Sequence, residues 1–199
     1  MSQIILIVLI LALAYLMGSI PFGALVARLY KVDITSVGSR NIGATNVLRT
    51  LGMLPASLVF AADLLKGFLP VYIASLAGLP PLWMVATGSA AILGHTFSVF
   101  LNFSGGRGVA TGLGVLLAIT PDVFLLVLLL ALLIMGFTRY VSLASITCSA
   151  VASLAMFLFD KPLPYTIVTS AIAALIIVKH IPNIKRLIDG TERKIGDKT

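Results

Sequence analysis

Residues 37–49 read Val-Gly-Ser-Arg-Asn-Ile-Gly-Ala-Thr-Asn-Val-Leu-Arg, a run of types that suits a phosphate ester. Gly38 and Gly43 allow backbone N–H groups to approach an anion closely. Arg40 and Arg49 carry planar forks that match phosphate oxygens. Ser39, Asn41, Thr45 and Asn46 add neutral hydrogen-bonding groups. The plain alternative is a polar connector with helix caps, but such connectors are usually less dense in this set.

Two further segments carry similar chemistry. Ser104-Gly105-Gly106-Arg107-Gly108 precedes an apolar run. Consecutive glycines before a helix N-terminus can form an anion-binding nest aided by the helix dipole, with Arg107 adding full charge. The spacing and the Lys-Ser/Thr pair of a Walker A loop are missing, and a flexible turn is the competing reading. The other segment is His180-Ile-Pro-Asn183, continuing to Arg186, Gly190 and Glu192. His180 reads either as an interfacial residue ending a span or as a phosphate donor or general base. Asp63-Leu-Leu-Lys66-Gly67 sets opposite charges one helical turn apart inside an apolar run, where each neutralises the other. Whether they also touch substrate is open. His95 reads as a buried hydrogen-bonding residue.

Several chemistries are excluded. There is no Gly-x-Ser-x-Gly elbow, no HEXXH helix and no Cys/His cluster. A His-x4-Asp pair is absent, since Phe100 follows His95 and Lys185 follows His180 at that spacing. No metal and no cofactor are expected, and no nucleic-acid partner.

The elements that must position these segments are membrane helices. Of 199 residues, 59% are hydrophobic and 11% charged, against roughly 25% charged in soluble domains. The apolar runs are Ile4–Leu29, Leu54–Leu79, Leu82–Leu101, Val109–Phe137, Val141–Phe159 and Leu163–Val178. The fourth is too long for one span and contains Thr120-Pro121-Asp122, which predicts a break into Val109–Ile119 and Val123–Phe137. The first run is too long for a cleaved signal h-region and lacks a positive n-region, so it reads as a retained span. Cys148 lies in an apolar run and reads as inert.

The expected fold is therefore all-α: one polytopic unit over residues 1–199 with seven transmembrane helices, some short. The net charge of +7 concentrates in Arg28–Arg49 and Lys179–Lys198. By the positive-inside rule the N-terminus is outside and the C-terminus cytoplasmic. Segments 30–53, 102–108 and 179–199 then share the cytoplasmic face, with Arg139-Tyr140. One-sided polar chemistry favours an enzyme over the alternative, a small transporter or channel for phosphate esters.

Taken together these segments resemble the bacterial membrane family of acyl-phosphate:glycerol-3-phosphate acyltransferases, known as PlsY. Gly18-Ser-Ile-Pro-Phe-Gly23 with Val37–Arg49 resembles its first motif, Gly94-His95 through Phe103–Thr111 its second, and His180-x-x-Asn183 with Gly190 and Glu192 its third. Asp63–Gly67 and Arg139–Ser145 extend the likeness over nearly the whole chain. The resemblance implies a seven-helix fold and transfer of a fatty acyl group from acyl phosphate to the 1-hydroxyl of glycerol 3-phosphate, giving lysophosphatidic acid. It implies substrate-binding and catalytic roles for Ser39, Arg49, His180, Asn183 and Glu192. It implies phosphate binding by Gly105, Gly106 and Gly108, where Arg107 replaces the Lys usual in the family. Arg186, Arg40, Asn41, Gly43, Thr45 and Asn46 join the phosphate-binding candidates, and Asp63 and Lys66 are further candidates. The expected place is the bacterial cytoplasmic membrane, among membrane lipid, with a peripheral acyl-phosphate-producing enzyme as a partner.

Overall fold

The structure is a computed structural model that describes residues 3–197. Every regular element among them is helical. In order they are α1 (Gln3–Ser19), α2 (Phe22–Leu29), α3 (Ala44–Leu51), α4 (Met53–Leu76) and α5 (Pro81–Thr96). A 3-10 turn (Val99–Leu101) leads to α6 (Val109–Ile119), α7 (Pro121–Thr138), α8 (Val141–Leu158), α9 (Leu163–Lys179) and α10 (Ile181–Ile188). Hydrocarbon offers no partner to a backbone N–H or C=O, so a chain this apolar must satisfy them within its own segments.

Five segments are long and apolar enough to cross a membrane: Gln3–Leu29, Met53–Leu76, Pro81–Leu101, Pro121–Thr138 and Val141–Leu158. The pair α9 and α10, bent by 56°, forms a sixth when taken as one broken span. Helix α6 has 11 residues and rises about 17 Å, against a hydrocarbon core of about 30 Å.

Prolines set the breaks. The first apolar run, read from sequence as one span, divides at Ile20-Pro21. Pro21 has no N–H and its ring crowds the preceding turn. The Ile20 carbonyl accepts the Phe22 N–H at 3.1 Å and the Lys66 ammonium at 2.8 Å. The predicted break at Thr120-Pro121 is present: α6 ends at Ile119 and α7 opens with Pro121 in its first turn, where a missing N–H is harmless.

The helices group into two units, residues 3–119 and 120–197. In the first, α1 packs on α5 and α4 on α6. Both contacts use glycine for close approach. A Cβ at Gly18 would lie 2.1 Å from the Ala91 carbonyl oxygen, and one at Gly114 only 1.9 Å from that of Leu64. Lipid supplies no hydrophobic force between apolar helices, so close backbone packing supplies the attraction instead. Ala27, Ile34, Ile42, Val47 and Val59 form a small core beneath the polar loop that joins α2 to α3. In the second unit, α8 packs on both α7 and α9 and touches α10. Cys148 is buried, and its Sγ donates to the Val127 carbonyl at 3.3 Å.

Candidate active site

The loop before α3 is organised by one buried amide. Asn46 is 1% exposed. Its Nδ2 donates to the carbonyls of Ile34 and Val37 at 3.1 Å each, and its Oδ1 accepts the Ser39 N–H at 2.9 Å. Gly38 has φ +60°, and a Cβ there would lie 2.2 Å from Asn46 Oδ1, so no other residue fits. Asn41 Oδ1 accepts the Gly43 N–H at 2.8 Å, an Asx turn that opens α3. Asn46 and the Gly43 N–H, both expected to bind phosphate, are thus engaged within the loop, Asn46 by backbone and Gly43 by the Asn41 side chain. The loop leaves Ser39 and Arg40 exposed and Thr45 and Arg49 half-buried. Arg40 has a left-handed φ of +57°.

The glycine turn before α6 rests on α5. Gly105 N–H donates to the Thr96 carbonyl at 3.1 Å and Gly106 N–H to the His95 carbonyl at 3.0 Å. These two N–H groups, expected to line an anion nest, are already engaged by the end of α5. The first N–H groups of a helix have no intrahelical partner. Arg107, Gly108 and the start of α6 follow directly on this turn. Close by, Asp63 Oδ1 and Lys66 Nζ pair at 2.7 Å with both side chains 3% exposed. Lys66 also lies 5.6 Å from the centre of the Phe22 ring. His95 Nδ1 stands 3.6 Å from the same Asp63 oxygen. The mutual neutralisation expected of Asp63 and Lys66 is present, and His95 joins them.

The second unit builds its own cluster around Glu192. Ser142 Oγ donates to Glu192 Oε1 at 2.9 Å, Asn183 Nδ2 to the same oxygen at 2.7 Å, and Arg186 Nε to Oε2 at 2.7 Å. Burial alone would raise the carboxyl pKa; these donors outweigh it and hold Glu192 below the ordinary glutamate range. A carboxylate so fully bonded is a poor proton acceptor and a good organiser. Asn183 is 3% exposed, and its Oδ1 is buried with no hydrogen-bond partner among the described residues. His180 is 2% exposed, and its Nδ1 donates to the Ile176 carbonyl at 2.8 Å. With the proton on Nδ1, a neutral ring presents Nε2 as an acceptor. Arg139 pins the tail: its carbonyl accepts the Ile195 N–H at 2.8 Å, and its Nε donates to the Ile195 carbonyl at 2.9 Å.

Of the candidates from sequence, Asn183, Arg186 and Glu192 meet in one cluster, and Asp63 and Lys66 meet beside the Gly105-Gly106 turn. Ser142 carried no assigned role. Its only signal was its place in the Arg139–Ser145 stretch.

Comparison with known proteins adds a family model, two relatives and two solved structures. The family model described as Glycerol-3-phosphate acyltransferase matches residues 8–190. The glycerol-3-phosphate acyltransferase of Geotalea daltonii is 50% identical over 90% of this chain and 92% of its own length. Glycerol-3-phosphate acyltransferase 2 of Moorella thermoacetica is 47% identical over 95% and 97%. The crystal structure of PlsY (YgiH), an integral membrane glycerol 3-phosphate acyltransferase, in its glycerol 3-phosphate form superposes with a TM-score of 0.92 at 46% identity, covering 96% of both chains. Its lysophosphatidic acid form gives 0.89 at 45% identity, covering 96% of this chain and 95% of that one.

Proposed function

This chain belongs to the glycerol-3-phosphate acyltransferase family, and we propose that its reaction moves a fatty acyl group from acyl phosphate to the 1-hydroxyl of glycerol 3-phosphate. The products are lysophosphatidic acid and phosphate. The observation that supports this reading best is the Asn183 amide. Its donor is committed to Glu192 while its buried Oδ1 keeps an unused acceptor, a fit for a substrate hydroxyl.

The chemistry needs no covalent intermediate. The hydroxyl oxygen attacks the acyl carbonyl, a C–O ester bond forms, and the bond from acyl carbon to phosphate oxygen breaks. Phosphate leaves with that electron pair. The hydroxyl proton passes to the leaving phosphate, and the protein orients both partners. Two phosphates repel, so fixed positive charge must accompany them. Arg49 and Arg107 supply it, with Arg40 and Ser39 on the exposed loop. His180 donates a hydrogen bond when protonated, or accepts one through Nε2. Glu192, Ser142 and Arg186 hold Asn183 in place. The reading includes seven spans with the N-terminus outside, the motif segments facing the cytoplasm of the bacterial inner membrane, and a peripheral enzyme delivering acyl phosphate.

The test is turnover by the purified chain in detergent, with no second compartment. Acyl phosphate and glycerol 3-phosphate should yield lysophosphatidic acid and phosphate in equal amounts. Product from acyl-CoA but not acyl phosphate would refute the donor assignment.

A further inference from the structure

His95 closes the last turn of α5, is 3% exposed, and lies between two features. On one side, its Nδ1 lies 3.6 Å from Asp63 Oδ1. Asp63 is fixed by Lys66 at 2.7 Å, and Lys66 by the Ile20 carbonyl at 2.8 Å. On the other side, the ring packs against Gly106. A Cβ there would lie 2.0 Å from His95 Nε2, 2.8 Å from Cε1 and 3.0 Å from Cδ2, and these three imidazole atoms would be its nearest neighbours. Gly106 is not among the residues with positive φ, so torsion does not require glycine at that position. Gly105 differs. A Cβ there would strike backbone, 2.1 Å from the His95 carbonyl oxygen. Ionisable groups this deep among apolar helices are costly and persist where they hold something in place.

We propose that His95 is a positioning residue for acyl transfer: set beside the Asp63–Lys66 pair, its imidazole is the surface on which the turn carrying Arg107 is seated, and it reserves position 106 for glycine. The claim rests on the reading of that turn as a phosphate holder. His95 acts through Gly106 and touches no substrate. Asp63 and Lys66 serve the turn at one remove.

A double-mutant cycle on the full-length chain tests it. Gly106→Ala, His95→Ala and the pair are compared with Gly105→Ala made with and without His95→Ala. The readouts are kcat, the KM of each substrate, and melting temperature. Displacing a phosphate-holding turn by about 1 Å costs on the order of 100-fold in kcat/KM. Gly106→Ala should show a loss of that order, chiefly through KM. The Gly106→Ala/His95→Ala pair should be no worse than His95→Ala alone, because the clash has gone. Gly105→Ala should not be rescued, because its clash is with backbone. Additive losses at Gly106, equal rescue at Gly105, or a lower melting temperature with unchanged KM would each overturn the proposal. If His95→Ala does not fold, His95→Asn takes its place in the cycle. A wild type without turnover would instead refute the function proposed above, and the His95–Gly106 coupling would still be read from melting temperatures.

Discussion

Asn183 and Glu192 are joined by a 2.7 Å hydrogen bond from Nδ2 to Oε1, and both side chains are buried. The bond fixes the amide: its donor faces a carboxylate and its acceptor has no protein partner among the described residues. Ser142 from α8 and Arg186 from α10 complete the hold on Glu192.

Glu192→Gln removes the charge but keeps the shape. Hydrogen bonds to a charged group contribute about 1.5–3 kcal/mol. A loss of about 10- to 100-fold in kcat/KM is expected, with KM for glycerol 3-phosphate rising. Ser142→Ala removes one of the three donors and should cost less, about tenfold or under. Steady-state kinetics on both variants checks the order. A Ser142→Ala loss exceeding that of Glu192→Gln would contradict the organising role given to the carboxylate.

The pH dependence follows from the same carboxylate. Its folded pKa is depressed below the ordinary glutamate value of 4.5. The stability it brings is therefore fully present above the unfolded value and is lost as pH falls through the folded one. Melting temperatures of wild type and Glu192→Gln, taken from neutral pH to about 3.5, should keep a constant gap at first. The gap should close only on the acid side of 4.5.

Lys66→Met strands the Asp63 carboxylate among apolar helices. Breaking a buried pair from one side costs about 3–5 kcal/mol. A large fall in thermal stability is expected, with most of it recovered by adding Asp63→Leu, which removes the orphaned charge. Fluorescence-monitored unfolding in detergent reads both.

Asn46→Ala deletes three hydrogen bonds at the loop that carries Ser39 and Arg40. The expected cost is about 1–3 kcal/mol of stability, accompanied by a higher KM for glycerol 3-phosphate. A KM unchanged at matched folding would detach this loop from substrate binding.

His180→Gln separates two proton routes. General-base catalysis contributes about 100- to 10,000-fold. With the leaving phosphate as proton acceptor, the variant should keep kcat within about tenfold and show mainly weaker binding, a smaller loss than removal of a base would bring. A collapse of kcat at unchanged KM would make His180 the base.

Much of the architecture was legible along the chain. Long apolar runs can only be helices in lipid, and Pro121 beside Asp122 marked its break correctly because a proline at a helix start costs nothing. Pro21 was passed over, since the apolar run continues on both sides of it. Its consequence, a carbonyl freed for Lys66, involves residues far apart in sequence. The Asp63–Lys66 pairing was legible because both lie on one helix. The partner of His95 was not, because Gly106 reaches it through a turn whose path no local pattern specifies.

Residue types alone determined the class of chemistry: arginines, glycines and small polar groups for phosphates, in a chain too apolar to fold in water. They also determined the helices, since a long unbroken apolar run satisfies its backbone in hydrocarbon as a helix, whereas barrel strands are short and alternate apolar with polar. Only the tertiary structure decided which polar groups keep capacity for a ligand. Asn46, Gly43, Gly105 and Gly106 look like donors in sequence and are engaged by their neighbours in the fold, Gly43 by the Asn41 side chain and the others by backbone, whereas Asn183 keeps its acceptor because Glu192, Ser142 and Arg186 orient it. A donor's identity is local, but its satisfaction depends on what packing brings beside it.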